Sequence, residues 1–127
     1  MADDSVLAPI AAEPALPLFS VTKSGKAAIA VSDVEIARAQ ARSENGIPLM
    51  CLRFSSDRLS PPERFEAIRT AFGPGFGGIV ITSRVAEHQI STRAHSVLTK
   101  DFVDEPGNPT RLAREQVVDF LKAQLIK

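Results

Sequence analysis

The sequence has a single cysteine, Cys51, which excludes an internal disulfide framework and leaves too few thiols for a structural zinc site. It has no excess charge of either sign, since fifteen Lys and Arg balance fifteen Asp and Glu. Without a long-range field, binding to nucleic acid or to an anionic membrane has little electrostatic support, and neither partner is expected. No stretch approaches the roughly 18 apolar residues of a bilayer span. Asp3 and Asp4 stand where a secretory signal would carry Lys or Arg, so a cytoplasmic protein is expected. What is present is ordinary for a folded domain. With 44% apolar and 24% charged residues over 127 positions, the chain is neither mainly disordered, collagen-like nor a coiled coil, and its length suits one domain.

Pro9, Pro14 and Pro17 lie too close together for a helix, while Val6, Leu7 and Ile10 suit a short strand. Residues 1–19 are therefore expected to form an extended arm or an edge strand. Ser32-Asp33-Val34-Glu35 fits a capping box, and the helix it opens should stop at Asn45-Gly46. Ile36, Ala39 and Ala41 give that helix a weak apolar face, which places it at the surface. The run IPLMCLRF, 47–54, has the pattern of a parallel strand buried on both faces, although a buried helix segment reads the same way.

Ser60-Pro61-Pro62-Glu63 opens the next helix, with Ser60 as cap, Pro61 in the first turn and Glu63 completing the box. Phe65, Ile68 and Phe72 share one face of it, and Gly73-Pro74-Gly75 ends it. GGIVITS, 77–83, reads as a second short buried strand, and the polar loop 84–95 leads to His95. Thr110 is expected to cap a last helix over about 111–126, with Val117, Leu121 and Leu125, flanked by Val118, as its buried stripe. Strands alternating with helices predict an α/β fold: a short, mostly parallel sheet flanked by helices, with right-handed crossovers. Two or three strands are few for that class, which suggests an incomplete α/β domain.

In open parallel sheets, reactive groups gather just beyond the carboxyl ends of the strands. Asp57 lies three residues after the first strong strand, and His95 lies 12 residues after the second. An acid and then a histidine are the last two members of a nucleophile–acid–histidine triad, in the chain order of α/β-hydrolases. The spacing also fits a turn-forming Asp and a solvated loop histidine.

The stretch GIPLMCLRFSSDRLSPPERFEAIRTAFGPGF resembles the acid-bearing segment of the dienelactone hydrolase family, in which a strand ends in a small-residue-Asp turn before a Pro-Glu helix start. RAHSVLTKDFVDEPGNPTRLAREQVVDFLKAQL resembles its histidine loop and closing helix, and VTKSGKAAIAVSDVEIARAQARSENG an insertion seen in some members. The resemblance covers roughly residues 14–127. It implies a partial, three-layer α/β-hydrolase-like fold over residues 20–127, equivalent to the family's carboxyl-terminal half. It also implies Asp57 as triad acid, His95 as triad base, a small ester or lactone substrate, no cofactor and no metal. The sequence departs from the family in what would precede these segments, where the family's earlier strands, with its second oxyanion donor, are also missing. The nucleophile, a Cys or Ser on a Gly-flanked turn, precedes all these segments in the family, and neither G-x-S-x-G nor G-x-C-x-G occurs here.

Cys51 lies inside the strand and is expected to be a buried, unreactive thiol. Ser55, Ser56 and Ser96 read as hydrogen-bonding loop residues, and His88 as an exposed rival to His95. Glu87, His88 and His95 have no informative metal spacing. Arg53, Arg58 and Arg93 are able to hold a substrate carboxylate, with a solvated surface role as the ordinary expectation. The expected function is the acid-and-base portion of an ester or lactone hydrolase, inactive alone and completed by a nucleophile-bearing half, on a partner chain or in a longer protein of which this sequence is one piece. The alternative is a non-catalytic truncated hydrolase domain that binds or oligomerises, as a homodimer or with a partner chain, through an exposed sheet edge. A third, unrelated reading is a small α/β domain that binds a ligand at its strand ends.

Overall fold

A computed structural model describes residues 1–15, 21–83 and 88–126. Strands β1 (Ile10–Ala12), β2 (Leu49–Phe54) and β3 (Phe76–Ile81) form one parallel sheet in the order β1-β2-β3. Ile10 pairs with Met50, and Phe54 pairs with Ile81. Between β1 and β2 come helices α1 (Lys23–Ala27) and α2 (Asp33–Glu44); α3 (Pro62–Phe72) joins β2 to β3, and α4 (Pro109–Leu125) closes the described chain. The fold is α/β, with a short parallel sheet and flanking helices. Helix α1 has no counterpart in the sequence reading: it buries no residue, so it leaves no apolar periodicity, and its one turn is held by Thr22 accepting from the Gly25 N–H.

β2 is the central strand, and its side chains alternate between two cores. Leu49 and Cys51 pack on Phe65 and Ile68 of α3. Leu52 and Phe54 face the other way, onto Ile81, Ile90, Ala94, Val97 and the α4 residues Ala113 and Val117. Burial on both faces explains the nearly continuous apolar run, interrupted only by Arg53, and each buried apolar side chain contributes about 1.5–3 kcal/mol.

β3 differs from the buried strand expected over 77–83. It is an outer strand: only Ile81 is buried, Gly77 and Gly78 are exposed, and Val80 is 49% exposed. Gly78 answers to packing. Phe65 meets Phe76 edge-on at 5.1 Å, and a Cβ on Gly78 would come within 2.8 Å of the Phe65 ring.

The capping box of α2 forms between Ser32 and Glu35, and the helix stops at Asn45, before Gly46 at φ +88°. Two other expected caps are corrected. Pro61, not Ser60, is the cap residue of α3 and makes no side-chain bond. Ser60 is fully buried because Asp57 accepts its N–H and holds the turn that precedes the helix. Asn108, not Thr110, caps α4 by accepting the Thr110 N–H; the Thr110 hydroxyl bonds Asn108 and Val103 instead. The apolar stripe of α4 runs through Ala113, Val117 and the partly buried Leu121, one turn apart. Val118 is rotated about 100° from Val117 and is exposed, as is Leu125 in the last turn.

Of residues 1–19, Ile10–Ala12 form the edge strand, and 16–19 lie outside the described residues, as do 84–87 of the loop expected before His95. Residues ahead of β1 fold back on α2, where Arg42 donates to the carbonyls of Met1, Asp3 and Val6. Among the described residues no helix is long and apolar enough to cross a membrane.

Candidate functional site

Beyond the carboxyl end of β2 the chain turns through Ser55 and Ser56 to Asp57, whose N–H returns to the Phe54 carbonyl. This turn is laced to the end of β3. Ser55 donates its N–H to Ile81 O at 2.8 Å, and Ser83 donates its N–H to Ser55 Oγ at 2.9 Å. Ser56 Oγ donates to the Thr92 carbonyl at 2.9 Å, which brings the histidine loop alongside. Ala94 and Val97, both buried in the α4-side core, anchor that loop on either side of His95.

The two loops meet at Asp57 and His95. Asp57 Oδ2 lies 2.6 Å from His95 Nδ1. Asp57 Oδ1 accepts the N–H groups of Leu59 and Ser60, so both carboxylate oxygens are engaged. The Asp57 side chain is 3% exposed, whereas that of His95 is 34% exposed. With Asp57 ionised, His95 Nδ1 carries the proton that it donates, and Nε2 keeps its lone pair. Such an imidazole accepts a proton at Nε2 while the carboxylate steadies the resulting cation. A cavity of about 580 Å³ opens over the pair, lined by Ser56, Asp57, Arg58, Leu59, Thr92, Arg93, Ala94 and His95.

The chain matches no family model, no curated protein and no solved structure.

Of the arginines singled out from the sequence, Arg58 and Arg93 are exposed and line this cavity. Arg53 is corrected: it is only 4% exposed and holds the Asp57 turn from beneath. Its Nε donates to Ser60 O at 2.8 Å, and its Nη2 donates to Ser55 O and Asp57 O, each at 3.3 Å. Burial pulls the Arg53 pKa below its ordinary value, with Asp57 and Glu63 opposing.

Cys51 is fully buried on the α3 face, and burial pushes its thiol up to about 12. Ser55, Ser56 and Ser96 act through the loop bonds described and through Ser96 N–H to Asp101. His88, expected to be exposed, is half-buried, because its carbonyl accepts from Asn108 Nδ2 beneath the start of α4. Glu87 lies outside the described residues. Among the described residues, no group of three or more His, Cys, Asp and Glu is arranged to hold a metal.

Two further acids shape the site and were not singled out from the sequence. Asp101 Oδ2 accepts the N–H groups of both His95 and Ser96 at 2.9 Å. Glu13, just past β1, accepts the Val97 N–H at 2.6 Å. Glu13 was open to the rule that selected Asp57, an acid beyond the carboxyl end of a strand. Asp101 sits six residues after His95 within a loop, and nothing in its local pattern marks a contact that depends on how the loop closes.

Proposed function

We propose that Asp57 and His95 are the acid and base of a dienelactone-hydrolase-like machine that hydrolyses a carboxylic ester or lactone. The observation that carries this reading is the bond from buried Asp57 to part-exposed His95 at 2.6 Å, beneath an open cavity. In the reaction, His95 Nε2 takes the proton of a hydroxyl or thiol nucleophile as it attacks the substrate carbonyl and returns it to the leaving alkoxide; the same nitrogen then takes a proton from water, which attacks the acyl intermediate, releases the carboxylic acid and restores the nucleophile. Asp57 holds the imidazole tautomer. Arg58 and Arg93 favour a substrate that carries a carboxylate.

Cys51 is buried away from this chemistry, so the nucleophile comes from outside these 127 residues. It is supplied by a nucleophile-bearing half of the machine. Because strand order follows chain order, a strand that precedes β1 joins at the free edge of β1. The three-layer hydrolase-like architecture belongs to this same proposal.

A small thiol tests the reading by supplying the missing nucleophile. The chain alone is expected to leave p-nitrophenyl acetate at its buffer rate. With added N-acetylcysteamine, the chain accelerates thiol-dependent cleavage; His95→Ala abolishes that gain and Asp57→Asn reduces it. Equal thiol-dependent rates for the parent and His95→Ala would exclude His95 as base. The half-exposed Val80 on the outer strand favours the second reading, a non-catalytic binding or oligomerisation module. Self-association with no thiol-dependent turnover would select it.

A further inference from the structure

β3 pairs with β2 on one side, and no strand among the described residues covers the other. Ser55, just past β2, donates its N–H to the Ile81 carbonyl. Backbone groups alternate in direction along a paired strand, so those of Ile79 and Ile81 face β2 and those of Gly78 and Val80 face outward. Both of these residues are exposed. Gly78 has no side chain, so what it exposes is backbone.

Such an edge is ordinarily blunted by a charge, a proline or a bulge. Phe76–Ile81, FGGIVI, has neither charge nor proline, and its register with β2 runs unbroken through all six residues. Val80, 49% exposed, adds an apolar side chain to the open side. Helices α3 and α4 pack against β3, and their exposed charges are matched along each helix. Glu66 pairs with Arg69, Arg111 with Glu115 and Asp119 with Lys122, so no field of one sign repels a second copy.

The order of residues along the edge selects the partner. Gly78 points its missing Cβ at the Phe65 ring of α3, and Val80, two residues on, stands on the same face. Let two copies of β3 meet antiparallel about a two-fold axis at Ile79. Gly78 of each copy then lies opposite Val80 of the other, and each pair exchanges both of its outward N–H···O bonds. Gly78 contributes no side chain to the contact, so Val80 comes alongside the Phe65 ring of the opposite copy, a β-branched side chain on an aromatic one. A copy of this strand makes that fit twice, once at each end of the pairing.

We propose that two copies of this chain associate through their β3 edges, antiparallel and centred on Ile79, and join two three-stranded sheets into one. The proposal rests on the oligomerisation reading, to which it gives a surface and a partner. No residue of β3 lines the Asp57–His95 cavity, and the free edge of β1 lies on the opposite side of the sheet, so association and turnover are measured separately.

Sedimentation equilibrium of the native chain is expected to show a dimer that dissociates on dilution. Val80→Lys puts a charge on each exposed edge and is expected to raise the dimer Kd more than about ten-fold, because pairing then brings two like charges together. Amide exchange on the native chain reads the edge directly. The Gly78 and Val80 N–H groups should be protected in the dimer and unprotected in the monomer, with those of Ile79 and Ile81 protected in both. Should Val80→Lys not fold, this comparison decides by itself. A dimer with unprotected Gly78 and Val80, or a folded Val80→Lys that dimerises undiminished, would overturn the proposal and leave oligomerisation standing at another surface. A native chain that stays monomeric at NMR concentrations would overturn it and leave the edge to a strand of another protein. Growth beyond the dimer would show that the edge does not close on a two-fold axis, and would overturn it too.

Discussion

The side chain of Glu13 accepts the backbone N–H of Val97 at 2.6 Å across 84 residues of chain. Glu13 also donates its own N–H to the Leu52 carbonyl at 2.9 Å. One residue thus ties the edge strand both to the central strand and to the loop that presents His95. It does so at φ +48°, a left-handed conformation that side chains other than glycine adopt at a cost of order 1–3 kcal/mol. Strain held at this point is consistent with a tertiary demand on the His95 loop.

Burial pushes the Glu13 carboxyl above its ordinary value, with Asp57 and Asp101 adding to the effect and the Val97 bond and His95 opposing it. A raised folded-state value means that the fold favours the protonated acid. That contribution is complete below the ordinary value of 4.5 and is lost as pH rises through the raised one. Glu13→Gln keeps the acceptor and removes the charge. Urea midpoints are expected to show the variant more stable than the parent at neutral pH, with the advantage gone in acid. An advantage that does not change with pH would contradict the assignment.

Asp101 has the opposite sign. Burial works against its charge, but donation from the Ser96 and His95 N–H groups, helped by Lys100 and His95, leaves its carboxyl below the ordinary 3.8. Ionised Asp101 therefore stabilises the fold above that value, and the contribution is lost as pH falls through the lower one. Asp101→Asn is expected to be less stable than the parent at neutral pH and to lose less on acidification. Amide exchange at His95 and Ser96 should rise in the variant. Exchange equal to the parent's would show that Asp101 does not hold this loop.

Arg53→Met removes a buried guanidinium that serves three carbonyls of the Asp57 turn. Leaving those acceptors without a donor is expected to cost about 3 kcal/mol in chemical denaturation. The low-field proton of the His95 Nδ1–Asp57 bond should broaden or vanish in the NMR spectrum of a variant that remains folded. A cost near zero with that proton intact would show that Arg53 does not hold the Asp57 turn.

The thiol of Cys51, fully buried and pushed up to about 12, is expected to resist Ellman's reagent in the native chain. Labelling should rise with urea along the same curve as unfolding. Fast labelling of the folded protein would show β2 to be open to solvent and would restore Cys51 as a nucleophile to be tested.

The elements legible in the sequence were those whose cause is local. β2 announced itself because a strand buried on both faces has no polar face to interrupt its apolar run. The Ser32–Glu35 box was legible because its partners lie three residues apart and close on each other. Asp57 and His95 were legible as candidates for a related reason: parallel topology sends the strand ends, and whatever follows them, to the same side of the sheet. Thr110 was misassigned because Asn108, two residues earlier, accepts the Thr110 N–H, and Ser60 because the helix boundary falls one residue later, at Pro61.

The sequence by itself determined the α/β class, the strand buried on both faces and the two loops that carry Asp57 and His95, because apolar period, capping and strand-end placement act over a few residues. Only the tertiary structure decided that β3 is an outer strand, that Arg53 and Arg64 are buried, and that Glu13 and Asp101 grip the His95 loop. Burial and long-range hydrogen bonds depend on which surfaces the packed elements leave to water, and that is a property of the assembled chain.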